Sequence, residues 1–182
     1  MNKTDYYKDV FFFFFFLSEE ECDKLIEFSE NKGYKAAKVN IDGAQKLFTM
    51  VRNNERILHK DIEMANSYWD KLKSYCSNKI GNSLPIGLNE LFRFYKYTKD
   101  QRFKKHKDGS YIRNEFEFSL MTFMIYLNDD FEGGKTTFNE FEINPKKGTA
   151  LIFLHDLKHE GQSITSGTKY VLRSDIMYRI NQ

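Results

Sequence analysis

The sequence predicts an α+β fold in which helices come first and a mainly antiparallel sandwich or barrel follows. Three observations carry this. Apolar residues repeat at helical spacing in two stretches before residue 80, and from Leu88 onward short apolar or alternating runs replace them. Turn signals, among them Gly133-Gly134 and Pro145-Lys146-Lys147-Gly148, separate those runs. A length of 182 residues with no repeat and no linker suits one domain, 1–182, with a helical part at about 18–80 and a strand core at about 88–180.

The elements follow in order. Phe11 to Phe16 is six consecutive phenylalanines, read as a strand covered on both faces. Ser18 with Glu21 forms a capping box that opens a helix; Cys22, Leu25 and Ile26 give its apolar face and Gly33 its stop. Val39–Ile41 and Phe48–Val51 read as short strands split by Asp42-Gly43. A second helix is predicted from about Lys60 to Ser77, with Ile62, Ala65, Tyr68, Trp69, Leu72 and Cys76 on one face and His59 at its exposed start. Gly81 to Gly87, with Pro85, breaks the chain. Strands are expected at Leu91–Tyr97, Phe103–Asp108, Phe118–Asn128, Phe138–Ile143, Thr149–Leu154 and Lys169–Tyr178.

Composition narrows the class. There are 28 basic and 26 acidic residues, so the net charge of +2 lacks the basic excess of a nucleic-acid binder. Val10–Leu17 is too short to span a bilayer, and Ser18-Glu19-Glu20-Glu21 replaces the small-residue cleavage site of a signal peptide. Cys22 and Cys76 are isolated on predicted apolar faces, which favours buried free thiols over a disulfide. These features fit a cytoplasmic protein.

The candidate chemistry centres on His106-Lys107-Asp108. In an extended chain, residues two apart point to the same face. Alone, the triplet also suits an exposed basic turn. His159 strengthens the metal reading, because it follows the buried strand Ala150–Leu154. Two histidines and one carboxylate form the facial triad of non-haem Fe(II) oxygenases, with coordination positions left open. His155-Asp156-Leu157-Lys158-His159 superficially resembles the helical zinc-protease pattern, but its acid is Asp and strand precedes it. His155 is better read as structural or as a partner of a ligand. Ten residues after His159, Lys169 begins the last strand and shares a face with Val171 and Arg173. A cation there suits the distal carboxylate of a 2-oxo acid.

Residues 88 to 180 resemble the prolyl 4-hydroxylase-like branch of the Fe(II)/2-oxoglutarate dioxygenases. The resemblance runs through Arg93-Phe94-Tyr95-Lys96-Tyr97, His106-Lys107-Asp108-Gly109, Tyr126-Leu127-Asn128, Glu132 to Phe138, Pro145 to Phe153 and His159-Glu160-Gly161, and ends at Lys169. Phe16 to Cys22 fits the usual start of such domains. The resemblance implies a double-stranded β-helix (jelly roll) with flanking N-terminal helices. It implies Fe(II) at His106, Asp108 and His159, with 2-oxoglutarate and O2 as co-substrates. It places the 5-carboxylate of 2-oxoglutarate at Lys169, assisted by Tyr126 and by Tyr97 or Tyr95, with Arg173 as the alternative cation. Lys135 departs from the Gly-Gly-Glu-Thr of many relatives. The implied reaction is C–H hydroxylation, of a protein or peptide side chain or of a small molecule such as a free amino acid. A jelly-roll binding module without catalysis is the rival of another class. Arg173 and Arg179 faintly resemble the paired arginines of alkylated-base demethylases, a reading the net charge does not favour.

Overall fold

Alternation along the central strands sets the architecture. The structure is a computed structural model describing residues 2–7, 10–41, 44–76 and 79–181. In chain order its elements are β1 (Asn2–Tyr7), β2 (Val10–Phe14), α1 (Glu19–Lys32), β3 (Lys35–Ala36), β4 (Val39–Ile41), β5 (Ala44–Lys46), β6 (Glu55–Lys60) and α2 (Ile62–Leu72). Then come β7 (Ser83–Leu88), β8 (Leu91–Tyr97), β9 (Phe103–His106), β10 (Glu117–Tyr126), β11 (Glu132–Gly133) and β12 (Thr136–Thr137). The chain ends with β13 (Glu142–Ile143), β14 (Ala150–Leu154), β15 (His159–Gly161), β16 (Ile164–Ser166) and β17 (Lys169–Ile180).

The large sheet has the order β1-β2-β14-β10-β17-β8-β6-β3, with β7 added on β17. A smaller sheet has the order β13-β12-β15-β9, and the named strands pair antiparallel throughout. Strand side chains alternate between faces, so each long strand of the large sheet serves two layers. Phe92, Phe94, Phe123, Ile125, Ile152 and Leu172 join Cys22, Ala65, Tyr68 and Leu72 in a core against the two helices. Tyr95, Tyr97, Tyr126, Leu151, Phe153 and Val171 form a second core with Phe138, Ile143 and Ile164. This explains the unbroken apolar run of β10, since both faces are covered. It is the jelly roll with flanking helices that the sequence leads one to expect.

The helix signals hold. Ser18 Oγ accepts from Glu21 N at 3.1 Å while Glu21 reaches back to Ser18 N at 2.7 Å, and Gly33 ends α1 with φ 76°. Cys22 and Cys76 are buried free thiols, which burial pushes up to about 11. No helix among the described residues is long and apolar enough to cross a membrane.

Several local expectations fail for identifiable reasons. The second helix does not start near Lys60: β6 runs to Lys60, and Asp61 caps the helix by accepting from Met64 N at 2.8 Å. His59 therefore lies in a strand, half-buried against Phe28. The helix stops at Leu72, leaving Cys76 beyond it. Phe48–Val51 is a turn, because Val51 and Arg52 both donate to the Phe48 carbonyl. Its predicted partner β4 pairs with β5 instead, while Asp42-Gly43 lies outside the described residues. Pro85 sits within β7, whose partner strand among the described residues is β17, so that it tolerates a missing donor. Phe138–Phe141 closes as a turn, so only Glu142–Ile143 of that predicted strand forms. Of the phenylalanine run, Phe14 and Phe15 are exposed and the second has φ 57°.

Gly148 clamps this run to the jelly roll, its carbonyl accepting from both Phe16 N and Leu17 N. Its φ is 73°, and a Cβ there would lie 2.3 Å from the Leu17 carbonyl oxygen. Gly148→Ala is expected to cost at least about 2 kcal/mol in a urea unfolding series. Gly87→Ala, with nothing within 4 Å of its Cβ, is expected to fall within about 1 kcal/mol of wild type.

Candidate metal centre and co-substrate pocket

The centre lies between the two sheets. Its cavity is walled by Tyr95 and Tyr97 of β8, Thr122 and Met124 of β10, and Val171 and Arg173 of β17, with Phe103 and His106 of β9, Thr136 of β12 and His159 of β15 opposite. β9 and β15 pair with His106 directly across from His159. Asp108 follows the end of β9, and its backbone N–H donates to the His155 carbonyl at 3.1 Å. The three side chains offer ligand atoms within 4.8 Å of one another. His106 Nε2 is 3.6 Å from Asp108 Oδ1, and His159 Nε2 is 3.7 Å from Asp108 Oδ2.

Both imidazoles are preset. His106 Nδ1 lies 2.8 Å from the Lys104 carbonyl and His159 Nδ1 lies 3.0 Å from the Leu157 carbonyl. A carbonyl only accepts, so each ring carries its proton on Nδ1 and turns the Nε2 lone pair to the cavity. Phe103 stacks on His106 with centroids 3.5 Å apart, and Phe153 packs edge-on against His159. Burial, opposed by Asp108, pushes His159 down to about 4. Burial also opposes ionisation of Asp108, but Arg173 and the two imidazoles outweigh it and hold the carboxyl well below its usual range.

Beneath the triad runs a polar network. Arg173 Nη2 is 3.1 Å from Asp108 Oδ2 and 3.0 Å from Asp175 Oδ1, and Arg93 is 3.0 Å from Asp175 Oδ2. Thr122 Oγ1 donates its one proton to Asp108 Oδ2. His155 Nδ1, 3.0 Å from the same hydroxyl, must then be the donor, leaving its Nε2 to accept from Ser119 at 2.9 Å. Burial lowers the His155 pKa, in keeping with this neutral form. His155 thus props a candidate ligand through Thr122.

At the other end of the cavity Lys169 is buried, opposite Tyr97 in the β8–β17 register. Its Nζ donates to the Gly134 carbonyl at 2.5 Å, and no carboxylate pairs with it among the described residues. Desolvation pushes its pKa down to about 7. The amine lies 5.3 Å from the centroid of Tyr126 and 5.7 Å from that of Tyr97. The Tyr126 hydroxyl donates to Thr136 at 2.7 Å.

The structure therefore gathers His106, Asp108, His159, Lys169, Tyr95, Tyr97 and Arg173 in one cavity wall, with Tyr126 behind it. Arg173 is already engaged by two carboxylates, unlike Lys169. Lys135 points away and pairs with Glu142, and Arg179 pairs with Glu117 at 2.5 Å. Sequence reasoning missed Thr122, Asp175 and Arg93. Asp175 had a signal, a charge two residues beyond Arg173 within an apolar strand.

The donor set fits a divalent metal with open coordination. Residues 92–174 match the family model described as the 2OG-Fe(II) oxygenase superfamily. The matched stretch takes in His106, Asp108, His159, Lys169 and Arg173, and in it this chain is similar to that superfamily. The candidate triad and the buried Lys169 suit the Fe(II), 2-oxoglutarate and O2 that this superfamily uses. A relative from Acanthamoeba polyphaga mimivirus, named "Putative prolyl 4-hydroxylase", is 23% identical over 191 residues, which cover 93% of this chain and 74% of that protein. Two solved structures share this chain's fold. The viral collagen prolyl hydroxylase of Paramecium bursaria Chlorella virus-1, a 2-oxoglutarate complex, matches with a TM-score of 0.67 at 22% identity, covering 94% of this chain and 97% of that one. A Trichoplax adhaerens prolyl hydroxylase, bound to a peptide fragment of the hypoxia inducible factor oxygen degradation domain, matches with a TM-score of 0.72 at 17% identity, covering 92% and 83%.

Thr122→Val keeps the shape of the side chain but strands Asp108, His155 and Arg173. It is expected to lower stability by about 1–3 kcal/mol in urea unfolding, with Thr122→Ser close to wild type.

Proposed function

We propose that His106, Asp108 and His159 hold Fe(II), that Lys169 anchors the 5-carboxylate of 2-oxoglutarate, and that the enzyme hydroxylates a side chain of a protein or peptide. The observation that carries this reading is the pairing, in one cavity, of a three-ligand centre with a buried cation that lacks an acid. A carboxylate beside Lys169 would supply the missing counter-charge in a site shielded from water. Tyr97 and Tyr126 flank that amine, while Tyr95 lies one pleat nearer Arg173. Arg173 acts on Asp108: together with Thr122 it occupies Oδ2, leaving Oδ1 for the metal.

When bound, Fe(II) with 2-oxoglutarate and O2 supplies the oxidant that inserts one oxygen atom into an unactivated C–H bond, with succinate and CO2 released. The protein's own residues orient and shield. Phe103, Phe138 and Phe153 pack around the imidazoles and keep water from them. The wall of the cavity between Tyr95 and Phe103 remains for the substrate.

A peptide substrate is supported by two segments rich in exposed apolar side chains near the centre. One precedes Arg52 and carries Leu47, Phe48 and Met50; the other follows Asp108 and carries Tyr111, Ile112 and Phe116. Such clustering suits contact with a chain longer than one amino acid. The two structural relatives are likewise named for a collagen substrate and for a bound peptide. Proline is the residue we assign as the default target.

The test begins without oxygen. Adding Fe(II) and then 2-oxoglutarate to metal-free protein is expected to produce the weak visible charge-transfer band of the chelate. His159→Ala should abolish the band, and Lys169→Met should raise the 2-oxoglutarate needed by about a hundredfold, the worth of a charge-assisted hydrogen bond in a dry site. A folded wild-type protein with no band would overturn the assignment. Mass spectrometry of proline peptides turned over by the loaded enzyme, compared with succinate formed, then tests the hydroxylation.

A pH prediction follows from Lys169. Its pKa in the folded state is about 7, against 10.5 ordinarily. Above pH 7 the unfolded chain holds the extra proton, so this group makes the co-substrate-free protein more stable as pH climbs from 7 towards 10.5. Anchoring needs the charged amine, so 2-oxoglutarate affinity should fall as pH rises above 7. Calorimetric titrations across pH 6.5–9 should show proton uptake on binding, and Lys169→Met should remove it.

A further inference from the structure

One cation beside the cavity is left unexplained by metal and co-substrate. Arg52 follows the turn after β5 and is 4% exposed. Its backbone bridges Phe103, and its guanidinium carbon lies 4.4 Å from the centroid of Tyr95 and 4.5 Å from that of Phe103. Both rings line the cavity, and Phe103 also stacks on His106. The guanidinium is steadied from one edge only: Nε donates to Asn54 Oδ1 at 2.6 Å. Nη2 is buried without a hydrogen-bond partner.

This is a costly arrangement. A buried donor left without a partner is destabilising, the more so when it is charged. No carboxylate pairs with Arg52 among the described residues, and the neighbouring ionic group is another cation, Arg56. Arg93 and Arg173 have acids, Asp175 and Asp108, although Arg173 Nε is likewise buried without a hydrogen-bond partner. Lys169, the other buried cation without an acid, faces Tyr97 two residues along β8 from Tyr95. Arg52 and Lys169 thus lie against rings of the same β8 face, each without an acid among the described residues, one for each of two anionic groups. A guanidinium packed against two cavity-lining rings, with one buried nitrogen still unpartnered, is suited to a carboxylate.

We propose that Arg52 binds a carboxylate of the substrate, so that the enzyme selects an acidic substrate. The proposal rests on the function given above and deepens it. The carboxylate has two possible sources, an Asp or Glu side chain near the target residue of a peptide, or the α-carboxylate of a free amino acid.

The test is a binding selection, independent of turnover. Protein loaded with Mn(II) and 2-oxoglutarate, without oxygen, is challenged with a pool of end-blocked random peptides centred on proline and, separately, with a mixture of free amino acids. Retained molecules are read by mass spectrometry. Wild type is expected to enrich acidic peptides about tenfold over their amide counterparts, the worth of one charge-assisted contact. Arg52→Gln should lose that enrichment, and Arg52→Lys should keep part of it. Retention of free amino acids in place of peptides would assign the α-carboxylate as the source, provided Arg52→Gln abolishes it. The visible band of the Fe(II) chelate controls for the site, and Arg52→Gln should show it at the wild-type 2-oxoglutarate concentration.

Three results would overturn the proposal. The first is wild type enriching no carboxylate-bearing molecule in either arm. The second is Arg52→Gln, folded and giving the band, selecting the same molecules as wild type. The third is Arg52→Gln needing more 2-oxoglutarate for the band, as expected of Lys169→Met, which would make Arg52 a co-substrate anchor. The peptide-hydroxylase reading fails separately, if the selected peptides are bound but gain no oxygen when Fe(II) and O2 replace Mn(II).

Discussion

The structure depends on a row of four charges held out of water. Asp108, Arg173, Asp175 and Arg93 alternate in sign, with contacts of 3.0–3.1 Å. Arg173 and Arg93 lie directly opposite in the β8–β17 register, a position where like charges repel. Asp175 between them turns that repulsion into two ion pairs. The sum of the row is neutral, which is what permits its burial. Removing one member leaves an uncompensated charge, a loss of about 3–5 kcal/mol where such pairs are broken. The row also fixes the orientation of Asp108. Stability of the sheet and readiness of the centre are therefore one problem, solved by the same side chains.

Set against this balanced row, Lys169 and Arg52 stand out as cations without acids. Each charge of the row has an opposite neighbour, whereas among the described residues these two have none. The contrast supports reading them as sites for anions from outside the chain. It also divides labour along β8, where Arg93 belongs to the metal end, Tyr95 to Arg52 and Tyr97 to Lys169. A single strand thereby orders the three tasks of the proposed reaction.

Much of this was legible in the sequence. His106-x-Asp108, His159 and Lys169 are polar residues at fixed spacing beside apolar strands, and the structure brings them to one cavity. The layered fold was legible because helical and strand periodicities occupy different halves of the chain. Thr122 was not, since a threonine in Phe118–Asn128 is what a strand prefers on propensity alone. Arg93 and Asp175 were hidden because their meaning is a cross-strand register, which no local pattern encodes. The boundary at Lys60 failed for a related reason. Glu55–Lys60 has little strand character of its own, and pairing with β8 makes it a strand.

The alternation of β10 has a further consequence. Thr122 and Phe123 are neighbours on one backbone, the first turned to Asp108 and the second to Phe16 and Tyr68. A change in packing at the helical layer is thus transmitted to the centre across the thickness of one strand. The helices supply no candidate ligand, yet they form the foundation on which the ligands are levelled. Variants selected for loss of activity should therefore scatter through both halves of the chain, including α1 and α2, far from any reacting atom.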